Sequence, residues 1–261
     1  MRKLCEIMGI YKKICKIMGM LKNEVSINDA EKEKVIERKS LSKLNLKEII
    51  VVPFPDNQYK REVTDKNQIV LHHTVSGQGA TGDIAWWRTT VDRVGTAMVI
   101  NWDGKIYQCF SSKYWAWHLG LKTANNKKLN SESIGIEIDA WGALLEKEGK
   151  WYPVKWDKDL GKHIPNLTIK PIENVQKYDD GYRGFYGYEK YTDEQIEATR
   201  KLLVFFGEKY NIPLDYNSTM FDISDEALGG KAGVWSHTSY RTDMTDVHPQ
   251  PELIKMLKSL V

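Results

Sequence analysis

Six histidines and one glutamate carry the residue types from which a metal-assisted hydrolytic site could be built. His72 and His73 end the run Ile69-Val70-Leu71, and His237 ends the run Gly233-Val234-Trp235-Ser236. His248 follows eleven residues later and is held before Pro249. Two strand-end imidazoles and a third ligand on a loop match a three-ligand catalytic zinc site, in which a further position stays open. Consecutive strand residues face opposite sides, so only one of His72 and His73 can serve such a site. Zinc lowers the pKa of water and polarises a carbonyl under attack. A base is also required, and Glu137 in Ser133-Ile-Gly-Ile-Glu-Ile138 is the candidate.

These side chains need rigid elements to hold them. Ile69–Leu71 and Ser133–Ile138 read as short apolar strands, the first buried on both faces. Ile49–Phe54 reads as an edge strand closed by Pro53 and Pro55. Thr96–Ile100 and Lys105–Phe110 flank Asn101-Trp102-Asp103-Gly104, a hairpin signal. A helix is expected from Asp83 as N-cap, with Ile84, Trp87 and Val91 inward. Thr192–Tyr210 is the clearest helix: Thr192 and Gln195 form a capping box, Ile196, Thr199, Leu203 and Phe206 share a stripe, and Asn211-Ile212-Pro213 ends it. Val234–His237 reads as a last strand and Pro251–Leu260 as a terminal helix. Alternating short strands and helices imply a mixed α/β architecture, a single central sheet flanked by helices.

Residues 1–45 differ in texture. Cys5–Lys13 nearly repeats at Cys15–Asn23, and Leu4, Ile7, Tyr11, Ile14, Met18 and Leu21 follow helical spacing. An amphipathic helix and a charged linker are expected there, with the compact domain over 46–261. Packing of that helix on protein is favoured over membrane or virion contact through residues 1–25. The stretch 139–191, rich in Trp, Tyr, Lys and Gly, reads as an insertion of exposed hairpins, with His163 a surface residue.

The chain has 261 residues and a net charge of +3 from 38 basic and 35 acidic side chains. That balance argues against nucleic acid as partner but suits an anionic polymer such as a cell wall. Nine Trp and thirteen Tyr could line a sugar or peptide groove or fill core. Three cysteines without a CxxC pair argue against a disulfide framework. No apolar run approaches a membrane span, and charges at Glu6, Lys12, Lys13 and Lys16 interrupt any signal-peptide core, so synthesis in a cytoplasm is expected.

The ordered pieces Ile-Val-Leu-His72-His73-Thr, Asp103-Gly104-Lys-Ile-Tyr-Gln, Ala116-Trp117-His118-Leu-Gly120 and Ser133-Ile-Gly-Ile-Glu137 resemble the zinc-dependent N-acetylmuramoyl-L-alanine amidases of the type 2 class. That family shares its fold with peptidoglycan recognition proteins and phage lysozyme-amidases, and the resemblance spans about Gln68 to Leu260. It implies one Zn2+ per chain on His72, His237 and a third ligand just before a proline. His248 is preferred for the third because His is the commoner zinc ligand, with Asp246 the alternative. The resemblance also implies Glu137 as the catalytic residue, His73 as a supporting residue, and His118 in the substrate groove with Trp117, Trp115 and Asn125. Two departures stand out. Asp246 occupies the place, two before His248, where many relatives carry a basic oxyanion partner, leaving zinc, Arg241 or His118 for that role. Thr96 stands where some have tyrosine.

The activity implied is hydrolysis of the amide between N-acetylmuramic acid and L-alanine of peptidoglycan, in a phage or prophage endolysin. A cytoplasmic muropeptide-recycling amidase is the alternative, and a non-catalytic peptidoglycan-binding module is disfavoured because all three ligand positions are filled. A virion structural protein carrying this domain, docked through residues 1–45, is a further possibility.

Overall fold

The computed structural model describes residues 44–77 and 79–261. Of the helix and linker expected over residues 1–45, with any membrane or virion contact, residues 1–43 lie outside the described residues.

In chain order the elements are β1 (Ile50–Val51), β2 (Gln68–His73), α1 (Ala80–Trp87), β3 (Met98–Ile100), β4 (Ile106–Gln108), α2 (Asn126–Glu132) and β5 (Ser133–Ile138). Five further strands follow: β6 (Ala143–Lys147), β7 (Lys150–Asp157), β8 (Lys162–Pro165), β9 (Val175–Tyr182) and β10 (Phe185–Glu189). The chain closes with α3 (Asp193–Tyr210), α4 (Asp225–Leu228), β11 (Gly233–Ser236) and α5 (Pro251–Lys258).

The central sheet has the order β1-β4-β3-β5-β2-β11 and is mixed: only β3 and β4 run antiparallel, as the two arms of the Asp-Gly hairpin. β2 and β5 are buried at every position, as the Ile69–Leu71 run implies for a strand covered on both faces. One covering layer comes from α3 and α5, whose Leu202, Leu203, Phe206, Leu253 and Leu257 are buried in the same core as Ile69, Ile136 and Trp235. The Thr192–Gln195 capping box starts α3, and Asn211 in the left-handed conformation ends it. No helix among the described residues is long and apolar enough to cross a membrane.

Two expectations are corrected and a third is extended. Helix α1 begins at Ala80 after Gly79, and Asp83 sits inside it, buried, accepting a hydrogen bond from Ser76. Val91 lies beyond the end of α1 at Trp87 and is 92% exposed, so it is not part of the inward face. The exposed hairpins expected over 139–191 pair antiparallel and join into a second sheet, β8-β7-β6-β10-β9. It has a small core of its own around Ala143, Phe185 and Tyr188. His163 is exposed yet packs edge-on against Trp156 and Phe185.

Candidate metal centre

Strand register sets the site. In the parallel pair β2/β5, His72 lies opposite Glu137 and His73 opposite Ile138. Alternation therefore sends His72 and Glu137 to one face and His73 to the other. On the next strand, β11 pairs Ser236 with Leu71, so His237 leaves the sheet beside His72 and opens a short 3-10 turn, His237–Ser239. The Thr238 amide donates to the Asp246 carbonyl at 3.0 Å and closes the loop between them, placing the Asp246 side chain against the two imidazoles.

His72 Nδ1 lies 3.1 Å and His237 Nδ1 3.0 Å from the same oxygen, Asp246 Oδ2. Ligand atoms of these three buried residues lie within 4.8 Å of one another, the one such group of His, Cys, Asp or Glu found among the described residues. The outer ring nitrogens are also occupied. His237 Nε2 faces the Leu119 carbonyl at 3.0 Å, and a carbonyl can only accept, so this nitrogen carries the proton. His72 Nε2 faces His118 Nδ1 at 3.0 Å, His118 Nε2 faces Ser133 Oγ at 2.9 Å, and Ser133 Oγ donates to the Leu129 carbonyl at 2.6 Å. Donors and acceptors alternate along this chain when His72 carries its proton on Nε2. Both histidines then turn Nδ1 lone pairs toward a carboxylate oxygen. That repulsive arrangement becomes favourable with a cation between them, and outer N–H groups held by protein acceptors are the usual support of metal-binding histidines. The donor set of two nitrogens and one carboxylate oxygen therefore fits Zn2+.

Without a cation between them, the same three residues set one another's charge. Burial opposes charge on Asp246, yet His237 and His72 together hold its carboxyl well below the usual range. Burial, then the charge of His237, lowers His72 despite Asp246. For His237 the desolvation penalty is outweighed by Asp246, and its pKa rises. Burial, with His72 and His237 next, pushes His118 well down, so it stands neutral. Glu137 is pushed well above the usual carboxylate range by burial, then by Asp246 and Asp83, and its Oε2 has no hydrogen-bond partner.

His248, the expected third ligand, is not brought to this group. Its Nδ1 meets Tyr178 Oη at 2.8 Å and its Nε2 the Glu189 carbonyl at 3.0 Å. The ring stacks on Tyr188 and Tyr191 at centroid distances of 4.8 and 4.5 Å. The second sheet has claimed it, and the alternative, Asp246, stands in its place. His73 faces away from the cluster. Tyr191 Oη accepts from the His248 amide and lies 3.0 Å from His73 Nδ1, and burial lowers the His73 pKa to about 4.

The cleft over the cluster, about 390 Å3, is lined by Trp87, Trp117, Asn126, Glu137, Arg241 and Met244 among others. Of the expected substrate-binding residues, Trp117 and His118 line it. Trp115 is buried and donates to Glu62, and Asn125 is exposed as the residue before α2, so neither lies in the lining. Arg241 is clamped by Asp243 at 2.9 and 2.6 Å. Asn130 and Ser133 were missed by sequence reasoning: Asn130 Oδ1 accepts from the His118 and Leu119 amides, holding the loop that carries His118. One sequence signal was present in Gly135, two residues before Glu137. A Cβ there would stand 2.6 Å from Thr96 Cγ2 and 3.2 Å from His118 Nδ1, so only glycine lets the His118 ring lie over β5.

A buried His-His-Asp group beside an unpartnered glutamate, at the end of a largely parallel sheet, is the layout of a hydrolase centre. The family model described as N-acetylmuramoyl-L-alanine amidase matches residues 62–249, and the chain belongs to that family of peptidoglycan amidases. No curated protein matches the sequence. Among solved structures it is similar to PlyL, with 16% identity over 82% of this chain and 98% of that one and a TM-score of 0.46. It is also similar to the Staphylococcus aureus hydrolase AmiA in complex with its ligand, at 14% identity, 92% and 91% coverage and a TM-score of 0.46. The amidase LysC from Clostridium intestinale URNW gives 15% identity, 80% and 96% coverage and a TM-score of 0.42.

Proposed function

We propose that this chain hydrolyses the amide between N-acetylmuramic acid and L-alanine with one zinc ion on His72, His237 and Asp246, and that it acts as a phage or prophage endolysin. The convergence of two imidazole Nδ1 atoms on Asp246 Oδ2 beside Glu137 carries the reading. Zinc held there supplies a Lewis acid for water and for the amide carbonyl. Glu137 takes the proton of the attacking water and passes it to the leaving amine. Its raised pKa suits both halves of that transfer, because a carboxylate that holds a proton firmly is the better base. His118 is a positioning residue: both its ring nitrogens are engaged, so it orients His72 and is not free to donate to an oxyanion. With Asp246 as third ligand, the residue two positions before the last ligand is Met244, which offers no charge to the cleft. Trp87, Trp117 and Asn126 provide the ring faces and amide that hold substrate over the cluster. The endolysin role is supported by the second sheet, which supplies additional wall for a polymeric substrate.

The test is digestion of purified cell walls by the metal-loaded full chain, with products read by mass spectrometry and amino-group labelling. New L-alanine N-termini on intact stem peptides are expected. New reducing sugar ends, or cleavage inside the stem, would refute the reading.

A further inference from the structure

A second groove, about 660 Å3, runs between the second sheet and the segment Thr242–Asp246. It shares Val75, Met244 and Asp246 with the cleft over the metal cluster, so the two are continuous across a metal ligand. A substrate with its scissile amide over Asp246 is thereby offered two directions. Toward Trp87, Trp117 and Asn126 it meets ring faces and amide groups. Toward the second sheet it meets Ala143, Leu145, Val154 and Phe185.

The register makes this wall one surface. Leu144 pairs with Pro153 and Leu145 with Tyr152 in β6/β7, which puts Ala143 opposite Val154 on the face shared with Leu145. Leu145 and Val154 are packed only in part against the small core of this sheet, leaving apolar surface for a ligand. We propose that this sheet face is the stem-peptide subsite of the amidase, with Leu145 and Val154 as specificity-determining residues; the inference rests on the amidase reading above.

The chemistry of the lining separates the two halves of a muropeptide. On the Ala143, Leu145 and Val154 side sugar hydroxyls would be left without partners, at a cost of about 1–3 kcal/mol each, while Thr242, Asp243 and Thr245 across the groove offer polar groups that peptide amides can use. Alanine methyl groups of a stem peptide lose nothing there and gain apolar contact. Arg183 also lines this groove, with its guanidinium engaged by Asp222 at 2.9 Å and the Thr238 carbonyl at 3.2 Å.

The test is binding of two probes to the metal-loaded full chain by calorimetry: the free pentapeptide L-Ala-γ-D-Glu-L-Lys-D-Ala-D-Ala, and the disaccharide N-acetylglucosaminyl-N-acetylmuramic acid. Leu145→Gln and, separately, Val154→Gln should each weaken the pentapeptide about tenfold and leave the disaccharide unchanged, and Leu145→Met should keep wild-type affinity. Thermal unfolding identifies which variants are folded, and having the two on neighbouring strands guards against the loss of either. No pentapeptide binding by the wild-type chain, equal pentapeptide affinity in a folded Gln variant, or loss of the disaccharide instead, would overturn the proposal. Pentapeptide binding lost in the variants of a chain that never releases L-alanine amines would uphold the subsite and sink the amidase reading. Amine release with unaltered pentapeptide affinity would do the reverse.

Discussion

Replacing His118 with alanine separates its role as a support of the metal centre from a role in gripping substrate. The ring nitrogen at 3.0 Å is the acceptor for His72 Nε2, and His72 is 3% exposed, so no solvent stands ready to replace it. A buried N–H left without an acceptor costs about 1–3 kcal/mol. Ser133 keeps its Leu129 carbonyl, so the damage is confined to His72. Loss of an outer partner of a metal-binding histidine independently costs roughly 10–100-fold in affinity, or about 1.4–2.8 kcal/mol. The two routes agree. Zinc affinity of His118→Ala, measured by competition with a chromophoric chelator, should therefore fall by roughly 10–100-fold. His118→Gln, whose Oε1 can accept, should recover part of that loss. Unchanged zinc affinity together with weakened muropeptide binding would refute the relay and return His118 to the substrate groove.

Glu137→Gln should retain zinc and lose about 10²–10⁴-fold in kcat, and a variant with near-wild-type turnover would remove Glu137 from the mechanism. Because catalysis needs the ionised carboxylate, and burial followed by Asp246 and Asp83 raises its pKa, activity should increase with pH on an acidic limb lying above 4.5. Asp83 is raised by burial to about 6 and Asp139, by burial and then Asp83, to about 7. The folded state thus favours their protonated forms, and their stabilising contribution is complete below pH 3.8 and lost as pH rises through those values. The Tm of Asp83→Asn relative to wild type should therefore climb from pH 5 to pH 8, and a flat difference would show that Asp83 is not the group responsible.

Much of this site was legible in the sequence because strands impose parity. His72 and Glu137 stand at the ends of apolar runs, and register alone put them on one face, with His73 on the other. The Asp-Gly hairpin and the capping box of α3 were likewise local signals, and both hold. Which of Asp246 and His248 joins His72 and His237 was not legible in that way. Asp246 and His248 lie two residues apart in a loop, both before Pro249, and neither spacing nor alternation separates them. What decides is a set of partners far away in sequence: Tyr178, Tyr188 and the Glu189 carbonyl take up His248, while His72 and His237 meet Asp246. Trp115 looked like a groove residue for the same reason, until Glu62 is seen to take its indole N–H. The second sheet had weak signals because its strands are half-exposed and rich in charge, with a periodicity shared by solvated hairpins.

The most direct test of the account is the zinc content of the purified chain and of two variants, Asp246→Ala and His248→Ala, by elemental analysis. Close to one zinc per wild-type chain is expected, lost in Asp246→Ala and retained in folded His248→Ala. Zinc lost from His248→Ala and kept by Asp246→Ala would contradict the ligand set, and wild-type activity without bound metal would contradict the centre itself.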